Sequence, residues 1–200
     1  AKEKKRKKNL YIEGVQNNGI INHYEYIINS EGTIEIRHVL KPEGKMPLWF
    51  PRIGLTLTVS DALDQVKWYG RGPQENYPDR KTGYPTGIYA STVQAMYEPY
   101  LMPQDYGLRT DVRWLQLTTD KGIGLQFKMN EWFNFNIYPY STDNLTKAMY
   151  TYQLQKQKGM TLNLDYATTG VGCTARGVFG AYKAMPQEYR RTISIRPMMK

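Results

Sequence analysis

Arg52-Ile53-Gly54-Leu55-Thr56-Leu57-Thr58-Val59 alternates apolar with small polar residues along its length. Successive side chains of an extended strand point to opposite faces. Ile53, Leu55, Leu57 and Val59 therefore share one face and Gly54, Thr56 and Thr58 the other, as a half-buried antiparallel strand requires. The same period recurs upstream in Ile20 to Ile28 and Thr33 to Leu40, with the turn-formers Asn29-Ser30-Glu31-Gly32 between them, which predicts a hairpin. Downstream, Val112 to Leu117 and Ile123 to Met129 flank Thr118-Thr119-Asp120-Lys121-Gly122, and Phe133-Asn134-Phe135-Asn136-Ile137 alternates strictly. Tyr150 to Leu154, Met160 to Tyr166 and Tyr189 to Ile195 bring the expected total to at least nine strands.

The remaining pattern is nearly free of helix. Asp143 to Ala148 predicts a single helical turn, capped by Ser141 or Asp143. Many short strands separated by turn signals predict an all-β fold, a large antiparallel sandwich of two packed sheets. No internal repeat is visible. We expect a basic tail or linker over residues 1–9 and one β-sandwich domain over residues 10–200.

One stretch resists assignment to a strand. Trp68-Tyr69-Gly70-Arg71-Gly72-Pro73-Gln74-Glu75-Asn76-Tyr77-Pro78-Asp79-Arg80 crowds glycines, prolines, aromatics and charges together, which predicts a shaped loop. Within it, Glu75 and Asp79 stand close in sequence to Arg71 and Arg80, which predicts carboxylate and guanidinium pairs stapling the loop's two ends. A structural corner accounts for such a loop as well as ligand contact does.

Composition bounds the functions open to the chain. It has 200 residues, 40% of them hydrophobic, enough for one core. No run approaches the ~18 apolar residues that span a bilayer, and the basic N-terminus has no apolar segment behind it, unlike a signal peptide. A start at Ala1-Lys2-Glu3-Lys4 without Met fits a piece of something longer, so the compartment stays open. Of the net charge of +9, Lys2, Lys4, Lys5, Arg6, Lys7 and Lys8 against Glu3 contribute +5, leaving +4 to everything else. A terminal charge run with no interleaved aromatic motif argues against nucleic acid as a partner. The lone Cys173 excludes an internal disulfide framework, and no zinc-ligand or EF-hand spacing appears.

Several ordered motifs resemble one family. Gly72 to Arg80, Pro99-Tyr100, Pro103 to Trp114, Phe133-Asn134-Phe135, Tyr138-Pro139-Tyr140-Ser141 and Leu162-Asn163-Leu164-Asp165-Tyr166 are similar to the C-terminal, small-chain sandwich of glycoside hydrolase family 2 β-galactosidases. The resemblance covers about residues 10 to 197. It implies an antiparallel β-supersandwich of the galactose-mutarotase-like kind, with its leading strands upstream of Ala1 or with Ala1 inside the domain. It also implies that the catalytic glutamates lie in an upstream (β/α)8 barrel of the parent chain, that this piece is inert alone, and that the parent enzyme uses Mg and Na. The partners it implies are a β-galactoside or other carbohydrate, the upstream barrel and a homo-oligomeric copy.

The family's sandwich sends a Gly-Gly-Asp-Asp-Ser-Trp loop to the sugar, where the Trp ring packs on the galactose face. The matching place here reads Val171-Gly172-Cys173-Thr174-Ala175-Arg176-Gly177-Val178-Phe179-Gly180, without Trp. Thr174, Arg176 and Phe179 are the residues left to line a substrate. The bland reading of the segment is a glycine-rich connection between strands.

Read without the resemblance, the chemistry is thin. Glycoside hydrolysis needs two carboxyl groups at a fixed separation, and Glu75, Asp79, Asp105, Asp111 and Asp165 each sit beside an Arg, an Asn or a turn, where structural pairing serves as well. Two other classes remain. A mutarotase-like domain would use His23 or His38 as acid, although both are read as outward residues on strands. An autonomous carbohydrate-binding module would expose Trp49, Tyr84, Tyr89 and Trp132 on one surface, residues that equally fill a core.

Overall fold

The hairpin signals mature into long antiparallel ribbons. The computed structural model describes residues 8–15, 19–173 and 177–199. It contains β1 (Lys8–Val15), β2 (Ile20–Ile28), β3 (Ile34–Pro42), β4 (Arg52–Val59), β5 (Gln65–Arg71), β6 (Thr86–Thr92), β7 (Arg109–Thr118), β8 (Gly124–Tyr138), β9 (Met160–Thr168) and β10 (Tyr189–Met198). One helix, α1 (Thr142–Lys147), follows β8, with the Ser141 hydroxyl accepting from the Asn144 amide.

Turn chemistry sets the two tightest hairpins. Between β2 and β3, Asn29 Oδ1 accepts from the amides of Glu31 and Thr33, both at 3.0 Å. Between β7 and β8, the Gly122 amide donates to Thr119 O at 3.0 Å with φ +79, a left-handed angle that glycine adopts without strain.

All pairings are antiparallel, in the order β1-β2-β3-β10-β8-β7-β5-β6. β8 is 15 residues long and serves both parts of the fold. Its first half pairs with β10 and β7, while Asn134 to Tyr138 pair with β9, which in turn pairs with β4. One apolar row runs in register across six strands through Ile34, Ile195, Phe127, Leu115, Trp68 and Tyr89. It meets Ile53, Phe135, Leu162 and Leu164 from the β4-β9 side in a single core. Each such side chain contributes ~1.5–3 kcal/mol on burial.

Four sequence expectations change. Trp68 to Arg71 belong to β5, because Trp68 is fully buried in the core and its indole N–H donates to Arg71 O at 3.0 Å. The shaped loop therefore begins at Gly72. Tyr150 to Leu154 is not a strand: Thr151–Gln153 forms a 3₁₀ turn. β1 and β6 were not foreseen, and β1 begins inside the stretch read as a basic tail. Among the described residues no helix is long and apolar enough to cross a membrane.

Candidate functional site

Two alternating sequences lay a polar floor. Opposite their core-facing neighbours, Asn134, Asn136 and Tyr138 of β8 pair with Asp165, Asn163 and Thr161 of β9, and β4 adds Thr56 opposite Asn163. The side chains bond across the strands: Thr56 Oγ1 donates to Asn163 Oδ1 (2.8 Å), and Asn163 Nδ2 donates to Asn136 Oδ1 (2.8 Å). Asn136 Nδ2 then donates to Asp105 Oδ1 (2.8 Å) and to Tyr106 O (3.0 Å) in the segment above. Asn136, Asn163 and Asp165 are all buried, so each bond satisfies a group that water does not reach.

Arg52 closes this floor. Its guanidinium lies 2.8 Å from Asp165 and 3.5 Å from Asp105, and it donates to Asn136 Oδ1 at 3.2 Å. Burial pushes the Asp165 carboxyl up, to about 7, while Arg52 acts in the opposite direction. Arg52 itself is disfavoured as a charge by burial, but Asp165 and Asp105 outweigh that and hold it ionised. Above the floor is a cleft of about 620 Å³ with Trp49, Arg52, Tyr77, Arg80, Tyr100 and Asp105 among its lining residues.

The motif loop forms one wall, and its charges do not pair as the sequence predicts. Glu75 accepts from the hydroxyls of Tyr77 (2.9 Å) and Tyr100 and from the Gly107 amide (2.7 Å). Burial first and Glu75 second push Tyr100 up to about 12. Asp79 uses one oxygen for the Val171 amide (3.0 Å) and the other for the Gly172 amide (2.6 Å), while Arg80 donates to Gly172 O (3.2 Å). Arg71 instead joins Lys81 on Asp111, each at 2.6 Å. Partial burial opposes ionisation of Asp111, but those two cations outweigh it and hold the carboxyl below its usual range. Asn76, fully buried, binds Thr110 through the backbone amide at 3.1 Å and the hydroxyl at 2.5 Å. The cause is simple: carboxylates held in a tight loop meet nearby hydroxyl and backbone N–H donors before they meet the long arginines of their own segment.

The other candidates separate. Thr174 and Arg176 lie outside the described residues. Phe179 is 67% exposed, beside Val178, which lines the cleft. His38 is buried, not outward: its ring stacks on Tyr24 at 4.2 Å, with Tyr166 Oη at 2.7 Å and Asn22 Oδ1 at 3.0 Å from its two nitrogens. Burial pulls it down to about 4, so it is neutral and has no free edge for a sugar. Trp49 and Trp132 each carry a cation over the ring. Lys183 stands over the first and Arg113 over the second, while Tyr89 packs on the core ring of Trp68. Cys173 is exposed. Among the described residues no three His, Cys, Asp or Glu side chains gather to hold a metal ion.

Chemically, the cleft offers aromatic faces, two guanidinium groups and a single carboxylate, Asp105, among its described lining. Asp165 lies beneath the floor with its side chain 2% exposed. Sequence reasoning passed over Arg52 and the two asparagines. The asparagines' signal was the Asn or Asp at every second residue of Phe133 to Ile137 and Leu162 to Tyr166, which puts polar groups in register on one face.

The fold is an antiparallel sandwich with a shaped loop over a polar cleft whose described lining holds one carboxylate. Residues 2–195 match the family described as β-galactosidase small chain, and the chain belongs to that family. It is 36% identical over 164 residues to a β-galactosidase of Priestia megaterium, covering 82% of this chain and 16% of that protein. A Vibrio cholerae β-galactosidase is 39% identical over 122 residues, 61% of this chain and 11% of the relative. A Pseudoalteromonas haloplanktis β-galactosidase is 34% identical over 148 residues, 74% and 14%. The chain thus spans 16% or less of the length of these relatives. Among solved structures, a GalM/aldose epimerase homologue from C. elegans has a TM-score of 0.46 and 12% identity, over 96% of this chain and 65% of that one.

Proposed function

We propose that this chain is the non-catalytic C-terminal domain of a β-galactosidase, supporting hydrolysis of terminal β-galactosides by a barrel elsewhere in the parent, with retention of configuration. The observation that supports it is the single carboxylate in the cleft. A glycosidase needs an acid and a nucleophile or base flanking the anomeric carbon, and Asp105 has no second carboxylate beside it among the described lining residues. Its own charge is turned toward Arg52 and Asn136.

What the domain adds is a shaped rim. The motif loop holds the backbone at Val171 and Gly172 through Asp79 and Arg80, which fixes the root of the segment that ends in exposed Phe179. Leu48, Trp49, Leu101, Met102 and Val171 are also exposed in or beside the cleft-lining segments, a concentration of apolar surface suited to burial against the upstream barrel. In this reading Thr174, Arg176 and Phe179 complete the barrel's sugar site.

The test is turnover of a chromogenic β-galactoside. The chain alone is expected to give none, and mixing it with a parent enzyme truncated before this domain is expected to restore activity. Turnover by the isolated chain that disappears in Asp105→Asn would overturn the proposal, as would a truncated parent that is fully active without it.

A further inference from the structure

One strand is covered on one flank only. β4 pairs with β9 along one edge, and among the described residues no strand pairs with its other edge. Sheet edges of folded proteins commonly carry lysine, proline or a bulge as guards, because a bare row of N–H and C=O groups recruits a further strand. From Gly54 to Val59 the strand has no charge and no proline, and its register with β9 is unbroken. The packing shows the open flank. Leu162 and Leu164 of β9 are fully buried, while Leu57 and Leu55, opposite them on β4 and packed against the same core, are only half-buried.

The strand also reads nearly the same in both directions. About Thr56, Leu55 answers to Leu57, Gly54 to Thr58 and Ile53 to Val59. Antiparallel pairing with a second copy about a two-fold axis at Thr56 therefore sets apolar against apolar on the core side and small residue against small residue on the other. Neighbouring registers lose this match. A slip of one residue opposes leucine to threonine across the two faces, and a slip of two sets Ile53 against Asp61 or Val59 against Pro51. β6, also uncharged and paired on one side only, has no such row: Tyr89 is alone on its core side, between Gly87 and Ser91.

We infer that two copies of this chain associate edge to edge through β4, antiparallel about Thr56, and so join two β8-β9-β4 sets into one continuous sheet. Backbone hydrogen bonds supply the attraction, and the alternate side chains set the register. Leu55 and Leu57 of each copy gain the cover that β9 gives their neighbours. The exposed Thr56 residues of the two copies meet at the axis, on the face that carries the polar floor.

The experiment is sedimentation equilibrium of the chain from micromolar to millimolar concentration. A monomer–dimer equilibrium is expected, with a dissociation constant on the order of 10–100 µM for so small an interface. Thr56→Lys sets two like charges opposite each other and is expected to weaken the dimer about tenfold. Thr56→Val loses the same hydroxyl bond to Asn163 without adding charge, and is expected to keep the dimer. Ile88→Lys, which puts the same charge on β6, is expected to leave it unchanged. Oxidative cross-linking in a Cys173→Ser background reads the register. Thr56→Cys is expected to bridge two copies, since directly opposed α-carbons lie ~4.5–5.5 Å apart. Thr58→Cys is not, because its two copies stand ~14 Å apart along the strands. Melting curves show that each variant is folded. The proposal is overturned if the chain stays monomeric at millimolar concentration, even where the truncated parent enzyme takes the edge instead. It is equally overturned by a dimer that folded Thr56→Lys leaves intact, or by cross-linking at position 58 as fast as at 56. None of these readings depends on turnover or complementation.

Discussion

Two polar clusters are buried in this sandwich, and they are neutralised in opposite ways. Under the cleft, Asp165 keeps company with Arg52, Asn136 and Asp105, a charged arrangement roofed by a loop segment. On the β2-β3 side, His38 sits between Tyr24, Tyr166 and Asn22 with no opposite charge in bonding contact. The first cluster uses an ion pair because an arginine does not give up its proton at neutral pH, so it must keep a carboxylate. The second loses charge by losing a proton: Nε2 faces the Asn22 carbonyl oxygen and donates to it, which leaves Nδ1 to accept from the Tyr166 hydroxyl. The difference teaches where the chain retains charge. Ionised groups line the cleft, while the groups bonded to His38 are neutral, with the Arg191 guanidinium standing over the Tyr166 ring beside them.

The largest test of that contrast is Arg52→Met. It strands Asp165 without its guanidinium, and breaking a buried pair in this way costs ~3–5 kcal/mol. The cost carries a pH signature. Without Arg52 the folded-state pKa of Asp165 rises further above the wild-type value of about 7, so the two proteins differ in bound protons only above about 7, where the penalty grows with pH, and it is smallest and level at acid pH. The slope is up to about 1.4 kcal/mol per unit for one linked proton. Urea unfolding of both proteins between about pH 6 and 9 reads it. A loss under about 1 kcal/mol, or one that does not change with pH, would show that the pair is not what holds the cleft floor.

His38 tests the other half. Its folded-state pKa is depressed to about 4 from 6.5 by burial, so the unfolded chain binds the proton first as pH falls. Stability is complete above 6.5 and declines between 6.5 and about 4, by up to about 1.4 kcal/mol per unit. Asp165, raised to about 7, works with the opposite sign over much of the same window, so the wild-type curve alone mixes the two. The informative quantity is wild type minus His38→Gln. That difference favours the wild type at pH 8 and narrows steadily on acidification. A flat difference would mean that the imidazole is already protonated or exposed, and that the contrast between the clusters is false.

The strands that bury one face and wet the other were legible from period alone, as β2, β3, β4 and β7 show, and so was the Ser141 cap of α1. Family membership was legible in the spacing of the motifs. Three things were hidden. β6 reads Thr-Gly-Ile-Tyr-Ala-Ser-Thr, too small and polar to announce a strand, because it pairs on one side only, with β5. His38 falls on the apolar face shared by Ile36 and Leu40, a phase that marks it as inward once followed along the strand, although polarity alone points outward. Arg52 lies in sequence far from Asp105 and Asp165, and only the β4-β9 pairing brings it there. Charge proximity in sequence misled at Glu75 and Asp79 for the same reason: Glu75 takes the hydroxyls of Tyr77 and Tyr100 and the Gly107 amide, and Asp79 takes the amides of Val171 and Gly172 from a distant segment.

The smallest effect bears on the joint between motif loop and cleft. An alanine Cβ at position 170 would stand 2.4 Å from the Asp79 carboxyl carbon and 2.6 Å from both of its oxygens. The substitution therefore pushes Asp79 off the Val171 and Gly172 amides it now caps. Overpacking costs ~1–3 kcal/mol in a core, and here the Asp79 side chain can yield toward solvent, so about 1 kcal/mol is expected. Its local consequence is larger: limited proteolysis within residues 171–179 should quicken while the global melting temperature moves by only a few degrees. Asp79→Ala releases the same segment by deleting the cap, and Gly170→Ala added to Asp79→Ala has no carboxylate left to strike. The double variant should then match Asp79→Ala alone in both stability and cleavage rate. Full additivity of the two losses would mean that Gly170 is required for another reason and that the motif loop does not hold the glycine-rich segment through this carboxylate.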